Sequence, residues 1–362
     1  MTILFLNQYF PPDPAPTGTL LQQIGETMRE AGHRVEYVSA GQSYGEKARG
    51  ASRFLRELKG LAHILRKGVA ASRPDIVFSA SSPPCLLTVA TLIARRHGAQ
   101  SVHWAMDLYP ELALTLGEIH PAAARAISFL AGHAYRAAAL VVALDADMVE
   151  CLRKYKIDCP AMRPWVLNDS LHAKPDLLQQ SFRSPDPVWL YSGNLGRAHE
   201  WKTLLETQAV LEQRGSPAIL AFQGSGPNRY GATEYARQLG LKQCEWRDYA
   251  PDDRLVPSLL SARILIATQR PETRGMLWPS KLALLERLPR PILWVGPTDG
   301  AVAEMLRRRS GSGIFPPGSG NAIADWLEKA FNDEMPPSPE VRDQCDREAG
   351  RQWWKTRLEA LQ

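Results

Sequence analysis

Short apolar runs alternate with longer amphipathic segments along most of the chain. In its first half, the runs predicted to be strands are Ile3–Asn7, Val35–Ser39, Asp75–Ser79, Ser101–Met106 and Leu140–Leu144. Helical periodicity between these runs predicts helices over about Thr19–Ala31, Cys85–His97 and Ala146–Tyr155. Strands that alternate with helices are typical of parallel sheets with right-handed crossover connections.

The same alternation starts again after a polar, irregular stretch, Pro164–Pro187, which we interpret as a linker. The predicted strands are Val188–Tyr191, Ala218–Gln223, Cys244–Trp246, Ile264–Thr268 and Ile292–Val295. The predicted helices are Lys202–Arg214, Tyr230–Leu239, Arg254–Ser261, Lys281–Arg287, Ala301–Arg308, Ala322–Phe331 and a last amphipathic one over Pro339–Leu361. The pattern predicts an α/β protein with Rossmann-like domains at 1–180 and 181–338, and a C-terminal helix at 339–362 that packs back on the first domain. Ligands are expected at the carboxyl ends of the strands, where the two domains face each other across a cleft.

Composition narrows the class of protein. The 362 residues are enough for two α/β domains, and apolar stretches such as Ala137–Leu144 are shorter than the roughly 20 residues of a membrane-spanning helix. The N-terminal run is interpreted as a buried strand, not a signal peptide. Five cysteines without a CxxC pair favour a reduced cytoplasmic location, with no disulfide framework or zinc site. The net charge of +5 suits anionic ligands or an anionic membrane but is too small to indicate nucleic acid.

The loop Ser192–Lys202 joins a predicted strand to a predicted helix. Its glycines allow close approach of the backbone to a ligand, and a helix N-terminus attracts anions. Arg197 and Lys202 add two full positive charges, so the loop is a candidate diphosphate site. An ordinary strand-to-helix turn with surface cations is the alternative.

Two further loops have similar positions. Gly224–Pro227 contains a GxG turn, which taken by itself is more often a tight turn than a ligand site. Glu272–Lys281 ends in Pro279-Ser280-Lys281, where Pro279 suits a helix start and Ser280 is a possible cap. A cation in the first turn, Lys281, is electrostatically unfavourable unless an anion is bound nearby.

These segments together resemble glycosyltransferase family 4, and most closely its bacterial enzymes of cell-surface polysaccharide assembly. The matching segments, in chain order, are Asn7–Gly18, Asp107–Glu111, Tyr191–Arg197, Gly224–Pro227, Asp248–Pro251, Pro279–Lys281 and Arg290–Gly296. The resemblance covers nearly the whole chain. It implies a GT-B fold and transfer of a sugar, with retention of configuration, from a nucleotide-diphosphate donor to a glycan or lipid-linked acceptor. A uridine donor is the commonest case among relatives.

The resemblance and the loop chemistry together give a set of candidate residues. Arg197 and Lys202 would stabilise the leaving diphosphate, Glu272 would hold hydroxyls of the donor sugar, and Asp107 would contact the acceptor or the reacting sugar. The residues assigned to the donor site are Gly18, Gly193, Asn194, Gly224, Tyr249, Pro279, Ser280 and Lys281. In such a site cations, not a metal, neutralise the diphosphate, so we expect no metal and no cofactor.

The chain departs from the family pattern at three places. Leu284 occupies the position where many family members have a ribose-binding glutamate, and Glu286 lies two residues further on. Of the family's two glutamates eight positions apart, Glu272 is present and Ser280 replaces the second. Ala301 follows Asp299-Gly300 where the subgroup often has an acidic residue. The ribose contact and the donor preference therefore stay open.

Candidate residues of the first half have alternatives. Pro11–Gly18 is either a ligand loop or a rigid proline-rich turn, and Asp107, with Glu111, either binds hydroxyls or caps a helix. His103 is expected to pack within a strand. Asp145-Ala-Asp147 fits a metal-binding DxD motif, but its position after a strand favours an N-cap role for Asp145. Nucleophile-elbow, HExxH and Walker A motifs are absent from the sequence.

The segment 46–73 is rich in basic residues and has helical periodicity. Phe54, Leu58, Leu61, Leu65 and Val69 fall on one side, and most of the cations fall on the other. This pattern fits a helix that lies on an anionic membrane, but a helix packed on the sheet with a solvated basic face is the favoured alternative.

Two other functions remain open. A nucleotide-sugar 2-epimerase shares the GT-B architecture but needs acid–base carboxylates and histidines, in which the expected cleft is poor. A non-catalytic partner subunit would keep the fold without binding a nucleotide, which would agree with the missing ribose glutamate. Donor binding separates the second alternative from the enzyme.

Overall fold

The computed structural model describes residues 1–42, 51–168, 187–332 and 347–362, with the side chains of 51–53 left out. Its contacts divide the chain into two compact units. The first unit is Met1–Leu167, Gly275–Trp278 and Cys345–Gln362, and the second unit is Asn168–Arg274 and Pro279–Gln344. The predicted boundary at 180/181 and the predicted helix start at Pro339 both lie outside the described residues.

The first unit contains a parallel sheet in the order β2-β1-β3-β4-β5. Its strands are β1 (Thr2–Leu6), β2 (Arg34–Val38), β3 (Ile76–Ser79), β4 (Gln100–Trp104) and β5 (Leu140–Val142). Its helices up to residue 152 are α1 (Pro16–Glu30), α2 (Ala51–Val69), α3 (Leu86–His97), α4 (Glu111–Thr115), α5 (Pro121–Ala137) and α6 (Ala146–Leu152), followed by a 3-10 turn at Arg153–Tyr155. All five predicted strands and the three predicted helices of this half are confirmed, whereas α4 and α5 were not predicted.

The second unit contains a parallel sheet in the order β11-β10-β9-β6-β7-β8. Its strands are β6 (Val188–Ser192), β7 (Ile219–Gln223), β8 (Cys244–Arg247), β9 (Ile264–Thr268), β10 (Ile292–Val295) and β11 (Gly313–Phe315). Its helices are α7 (Lys202–Gln213), α8 (Arg229–Gln238), α9 (Asp252–Ser261), α10 (Leu282–Leu285), α11 (Ala301–Arg307) and α12 (Gly320–Phe331), with a 3-10 turn at Pro271–Thr273. The predicted α/β class with parallel sheets is therefore confirmed. The short strand β11 was not predicted, and α10 is a single turn where Lys281–Arg287 was expected.

The last helix, α13 (Arg347–Glu359), belongs to the first unit. Its Trp354 is fully buried, and the indole ring lies 4.8 Å from the ring of Phe78 and 5.1 Å from the ring of Trp104. Gly350 allows close packing, because a Cβ there would lie 2.4 Å from the Trp165 ring. Aromatic burial of this kind is a large stabilising term, so α13 is an integral part of the first unit's core.

Helix α2 packs through a face that the apolar pattern did not identify. Its buried positions are Gly60, Ile64 and Gly68, and a Cβ on Gly68 would lie 2.5 Å from the Ile93 side chain of α3. Phe54, Leu58 and Val69 of the predicted stripe are 61%, 45% and 38% exposed. Leu61 and Leu65 are partly buried against the core. Glycines permit this close helix approach, which a hydrophobicity pattern does not register.

None of the helices in the described parts of the chain combines the length and the apolar character that crossing a membrane requires.

Candidate active site

Three loops of the second unit follow adjacent strands. The first glycine loop is residues 193–196 after β6, the second glycine loop is residues 224–227 after β7, and the tyrosine turn is residues 247–250 at the end of β8. Gly193 N donates to Gln223 O at 2.8 Å, and Gly224 N donates to Arg247 O at 3.0 Å. The three loops therefore form one connected surface at the carboxyl ends of the strands.

Glycine is required at two points of this surface. Gly224 has φ +126°, and a Cβ there would lie 2.4 Å from Gly193 O. Gly226 has φ +141°, and a Cβ there would lie 2.6 Å from Leu195 N. Both values lie in the region that side-chain-bearing residues rarely adopt, so the GxG pattern has a packing reason here. It also brings the backbones of the two glycine loops into direct contact.

Lys281 has its ammonium at this surface. Its Nζ lies 3.2 Å from the centroid of the Tyr191 ring and would lie 3.5 Å from a Cβ on Gly193. The Nζ atom is buried, and no atom of the described residues accepts a hydrogen bond from it. Burial lowers the pKa of Lys281 well below its usual value. The Tyr191 ring face offers a cation–π contact, but a buried ammonium without an acceptor remains costly.

Tyr191 and His199 support this lysine. The Tyr191 hydroxyl donates to Asn194 O at 2.9 Å, which fixes the ring under the ammonium. The His199 ring meets the Tyr191 ring edge-on at a centroid distance of 5.9 Å, and its Nδ1 lies 2.8 Å from Thr268 O. A carbonyl only accepts, so Nδ1 carries the proton. Burial, and then the charge of Lys281, lower the pKa of His199 to about 3, which keeps the imidazole neutral.

Pro279 and Ser280 lead directly into Lys281 but do not cap the helix. Helix α10 begins at Leu282, Lys281 is in the N-cap position, and no side chain makes a capping hydrogen bond. Leu282 N donates to Pro279 O at 2.9 Å, and Ser280 is exposed. The possible capping role of Ser280 is therefore wrong. Its place beside Lys281 keeps it a candidate for the donor site.

Arg197 and Lys202 lie further along the first strand-to-helix connection, and both are exposed. Lys202 is the first residue of α7, and its Nζ lies 5.9 Å from the Trp201 ring centroid and 6.0 Å from that of Tyr235. Glu200 caps the helix by accepting from Thr203 N at 2.9 Å. Lys202 thus lies near the rings of Trp201 and Tyr235, whereas Lys281 contacts the ring of Tyr191.

The remaining candidates of the second unit are exposed. Glu272 accepts a hydrogen bond from Arg270 Nη2 at 2.8 Å, and this bond lowers the pKa of the carboxyl group. Tyr249 is 55% exposed, and its ring would lie 3.0 Å from a Cβ on Gly224. The side chain of Asn194 also faces solvent. Tyr249 therefore joins Gly193, Gly224 and Lys281 in one surface.

In the first unit, Asp107 lies where β4 ends. It forms an antiparallel bridge with Leu277, and Leu108 N donates to Met276 O at 2.8 Å. Burial raises the pKa of Asp107 to about 6. Helix α4 starts after Pro110 with no side-chain cap, so the capping interpretation of Asp107 is wrong. Its neighbour in the motif, Glu111, instead binds Lys154 and Tyr155.

The other candidates of this half have structural explanations. A Cβ on Gly18 would lie 2.3 Å from Tyr9 O, so close packing of the preceding loop requires the glycine. His103 is buried within β4 with Nδ1 3.0 Å from Ser79 Oγ, as expected. Asp145 caps α6 by accepting from Met148 N at 2.8 Å, which confirms its N-cap role.

Sequence reasoning missed Tyr191 and His199 as parts of the site. Tyr191 is the first residue of the matching segment Tyr191–Arg197, and His199 lies in the loop Ser192–Lys202. Neither side chain was assigned a role, because the argument from the sequence rested on glycines and on charged residues. Their role depends on β6 lying next to β9, which brings Tyr191 beside Ile266 and Thr268 near His199. In the described segments, no cluster of three or more histidine, cysteine or acidic side chains is arranged to hold a metal ion.

Comparison with known proteins shows the fold. A scan against protein-family models gives no match, and a search of curated proteins finds no relative. Solved structures do match over nearly the full chain. Sucrose-phosphate synthase from Thermosynechococcus elongatus has a TM-score of 0.64 at 12% identity, covering 100% of this chain and 96% of that one.

Two further structures match similarly. HepE from Anabaena, solved in complex with UDP-glucose, has a TM-score of 0.64 at 16% identity, covering 99% of this chain and all of HepE. WaaG, a glycosyltransferase involved in lipopolysaccharide biosynthesis, has a TM-score of 0.62 at 15% identity, covering 98% of this chain and 95% of WaaG. At these identities the likeness establishes the fold alone, and that fold is GT-B.

Proposed function

We propose that the protein is a glycosyltransferase that takes a sugar from a nucleotide-diphosphate donor. The observation that carries the proposal is the buried Lys281 ammonium, which has no acceptor among the described residues and lies beside Gly193 of the first glycine loop. A diphosphate would supply the missing negative charge and acceptors. The fold it shares with HepE, whose structures hold UDP and UDP-glucose, supports a nucleotide sugar as the ligand.

In this proposal Lys281, with Arg197 and Lys202, stabilises the charge that grows on the leaving diphosphate. Such preorganised charges are often the largest catalytic contribution. The glycine loops bring backbone close to the phosphates, with Asn194 and Ser280 as polar neighbours, and Tyr249 lies at the nucleoside end. The donor needs no metal in this arrangement, because cations do the neutralising.

We also propose that the protein belongs to glycosyltransferase family 4, uses a UDP-sugar donor and retains the configuration of the transferred sugar. The proposed acceptor is a glycan or lipid-linked acceptor of cell-surface polysaccharide assembly. The proposed location is the cytoplasmic side, where nucleotide sugars are made. Glu272 would bind hydroxyls of the donor sugar. Asp107 would contact the acceptor or the reacting sugar, and Gly18 would contribute to the donor site from the first unit. Under a front-face mechanism the leaving phosphate itself takes the acceptor's proton, so no dedicated base is required.

A thermal-shift screen with UDP, GDP, ADP and their sugar conjugates, each with and without EDTA, tests the proposal. A ligand that binds the native state raises the Tm by mass action. We expect one nucleotide family to raise the Tm, unchanged by EDTA, with the free nucleoside as the matched control. The absence of any shift would favour the non-catalytic partner subunit. Conversion of the donor sugar without an acceptor would favour the 2-epimerase.

We further propose that α2 contacts an anionic membrane. Phe54 and Leu55 are 61% and 56% exposed near its start, and Lys59, Arg66 and Lys67 are exposed on the same helix. Exposed apolar side chains on a helix that also carries exposed cations suit contact with anionic headgroups.

The test is sedimentation with phosphatidylglycerol vesicles at low salt. The double variant Phe54→Ser/Leu55→Ser should lose most of its binding, and Tyr230→Ser, at an even more exposed aromatic of α8, should retain it. Equal sedimentation of all three proteins, or equal binding to neutral phosphatidylcholine, would remove α2 as the contact.

A further inference from the structure

Arg229 is the first residue of α8 and directly follows the second glycine loop. Its Nη1 donates to Gly224 O and, at 3.2 Å, to Arg247 O. The same nitrogen lies 3.5 Å from Asp248 Oδ1, a fully exposed carboxylate. A cation in the first turn of a helix is disfavoured by the helix dipole, so these carbonyls are what holds the guanidinium in place.

The two carbonyls belong to different loops. Gly224 O is in the second glycine loop, and Arg247 O is in the tyrosine turn. The strands before them are adjacent, with Gln223 paired with Arg247, and the backbone adds the bond from Gly224 N to Arg247 O. Arg229 therefore joins two strand-end loops by side-chain hydrogen bonds beyond the sheet ladder. It also lines the small cavity behind them, together with Phe222 and Trp246.

Tyr249 lies beside this joint. The ring of Tyr249 is in contact distance of Gly224, and Tyr249 is two residues beyond the carbonyl that Arg229 binds. A loop held in its binding geometry before the ligand arrives loses less conformational entropy on binding. Loosening it would weaken ligand binding without touching the reacting atoms.

We infer that Arg229 is a positioning residue that sets the nucleoside end of the donor site by holding the second glycine loop against the tyrosine turn. The inference rests on the proposed function for its ligand. Arg229 acts through the backbone carbonyls of Gly224 and Arg247 and is not a catalytic residue.

The test compares full-length Arg229→Met with Arg237→Met. Arg237 lies on the same helix and is exposed, and its partner among the described residues is Glu234 of that helix. For Arg229→Met we expect the Kd for the nucleotide and the KM for the donor to rise on the order of tenfold, which corresponds to about 1.4 kcal/mol. The kcat should change less than about twofold, and the control should match the wild type. Arg229→Lys, which can reach one carbonyl, should recover part of the affinity.

Hydrogen exchange of the ligand-free proteins provides a readout that needs no ligand. The Gly224 and Tyr249 amides should exchange faster in Arg229→Met than in wild type, with the strand β7 amides unchanged. If wild type binds no nucleotide, the proposed function fails while the exchange data still decide the loop contact. Unchanged exchange with unchanged affinity would overturn the inference. A fall in kcat at constant KM would also overturn it, because Arg229 would then act on the reacting diphosphate.

Discussion

The carboxyl ends of the strands are connected in different ways in the two units. In the first unit, side chains bridge the strand-end loops: Ser82 Oγ donates to Gln8 Oε1 at 2.6 Å, and Ser81 Oγ accepts from Met106 N at 2.9 Å. In the second unit, the loops use glycine and backbone bonds. Among the described residues, a buried atom left without a partner is a lysine nitrogen, Lys281 Nζ, in the second unit and a neutral amide oxygen, Asn7 Oδ1, in the first. An anion would complete the lysine nitrogen and not the amide oxygen.

Burial shifts one ionisable group at each surface towards its neutral form. It lowers the pKa of the base Lys281 in the second unit and raises the pKa of the acid Asp107 in the first. Each group is therefore held at a cost to the ligand-free protein. An anion would relieve the cost at Lys281, and a hydroxyl that donates a hydrogen bond would relieve it at Asp107.

Lys281→Met is expected to have the largest effect. Turnover should fall by about 10²–10³-fold, the range for losing one preorganised charge-stabilising group. The ligand-free variant should nevertheless be at least as stable as wild type, because an unpaired buried ammonium has been replaced by an apolar chain of similar length. Activity and thermal unfolding of the same preparation check both parts. Full activity in the variant would contradict the role of Lys281.

The pH dependence of unfolding sharpens this prediction. Since the folded pKa of Lys281 is lowered, the unfolded chain binds more protons between the lowered and the ordinary pKa. The unfolding free energy of ligand-free wild type should therefore rise with pH across that window relative to Lys281→Met. Parallel curves for the two proteins would show that Lys281 ionises normally.

Arg197→Ala and Lys202→Ala should each lower turnover by about 10²-fold with the fold intact, since removing a cation that faces developing charge costs this much. Both side chains are exposed, so circular dichroism and Tm should match the wild type. The matched control is Lys242→Ala. Lys242 is exposed and lies just before β8 begins at Cys244. Near-normal turnover of both variants would leave Lys281 as the sole diphosphate cation.

Gly224→Ala should weaken nucleotide binding by about tenfold and lower the Tm by several degrees. The new Cβ would meet Gly193 O at 2.4 Å with φ at +126°, and such backbone strain costs roughly 1–3 kcal/mol. Gly240→Ala, at φ +69° with no atom within 4 Å of the new Cβ, is the control for a positive-φ glycine without a close contact. Equal losses in the two variants would mean that the contact between the glycine loops has no part in binding.

Asp107→Asn is expected to have the smallest effect, a few-fold loss of activity with a changed pH profile. Because the folded pKa is raised to about 6, the folded protein binds more protons than the unfolded chain between about pH 4 and 6. Wild-type stability should thus decline as pH rises through that interval and then stay lower, while Asp107→Asn lacks the decline. Unfolding curves at pH 4 and pH 7 distinguish the two.

Strands and helices could be predicted from the sequence where a local pattern of apolar residues is clear. Ile264–Thr268 and Ile292–Val295 were predicted to the residue, since both are continuous apolar runs between turn residues. The Ala-rich helix at Pro121–Ala137 was missed because its buried face consists mostly of small residues, Ala124, Ala131, Gly132 and Ala134. Gly313–Phe315 was missed because three residues give no period.

The site itself was only partly predictable. The loops and Lys281 follow from glycine, proline and charge signals in the sequence. The contact between Lys281 and Tyr191 depends on strand order, and the assignment of Gly275–Trp278 to the first unit depends on tertiary contacts. The packing face of α2 was not predicted for a related reason. Gly60 and Gly68 pack closely against neighbouring residues, but glycine has no side chain that a hydrophobicity pattern can detect.

Calorimetric titration of wild type and Lys281→Met with UDP and with uridine tests most directly whether Lys281 holds the diphosphate. We expect wild type to bind UDP far more tightly than uridine, and Lys281→Met to lose most of this difference while its uridine affinity is unchanged. Equal preference for UDP in the two proteins would show that Lys281 does not hold the diphosphate.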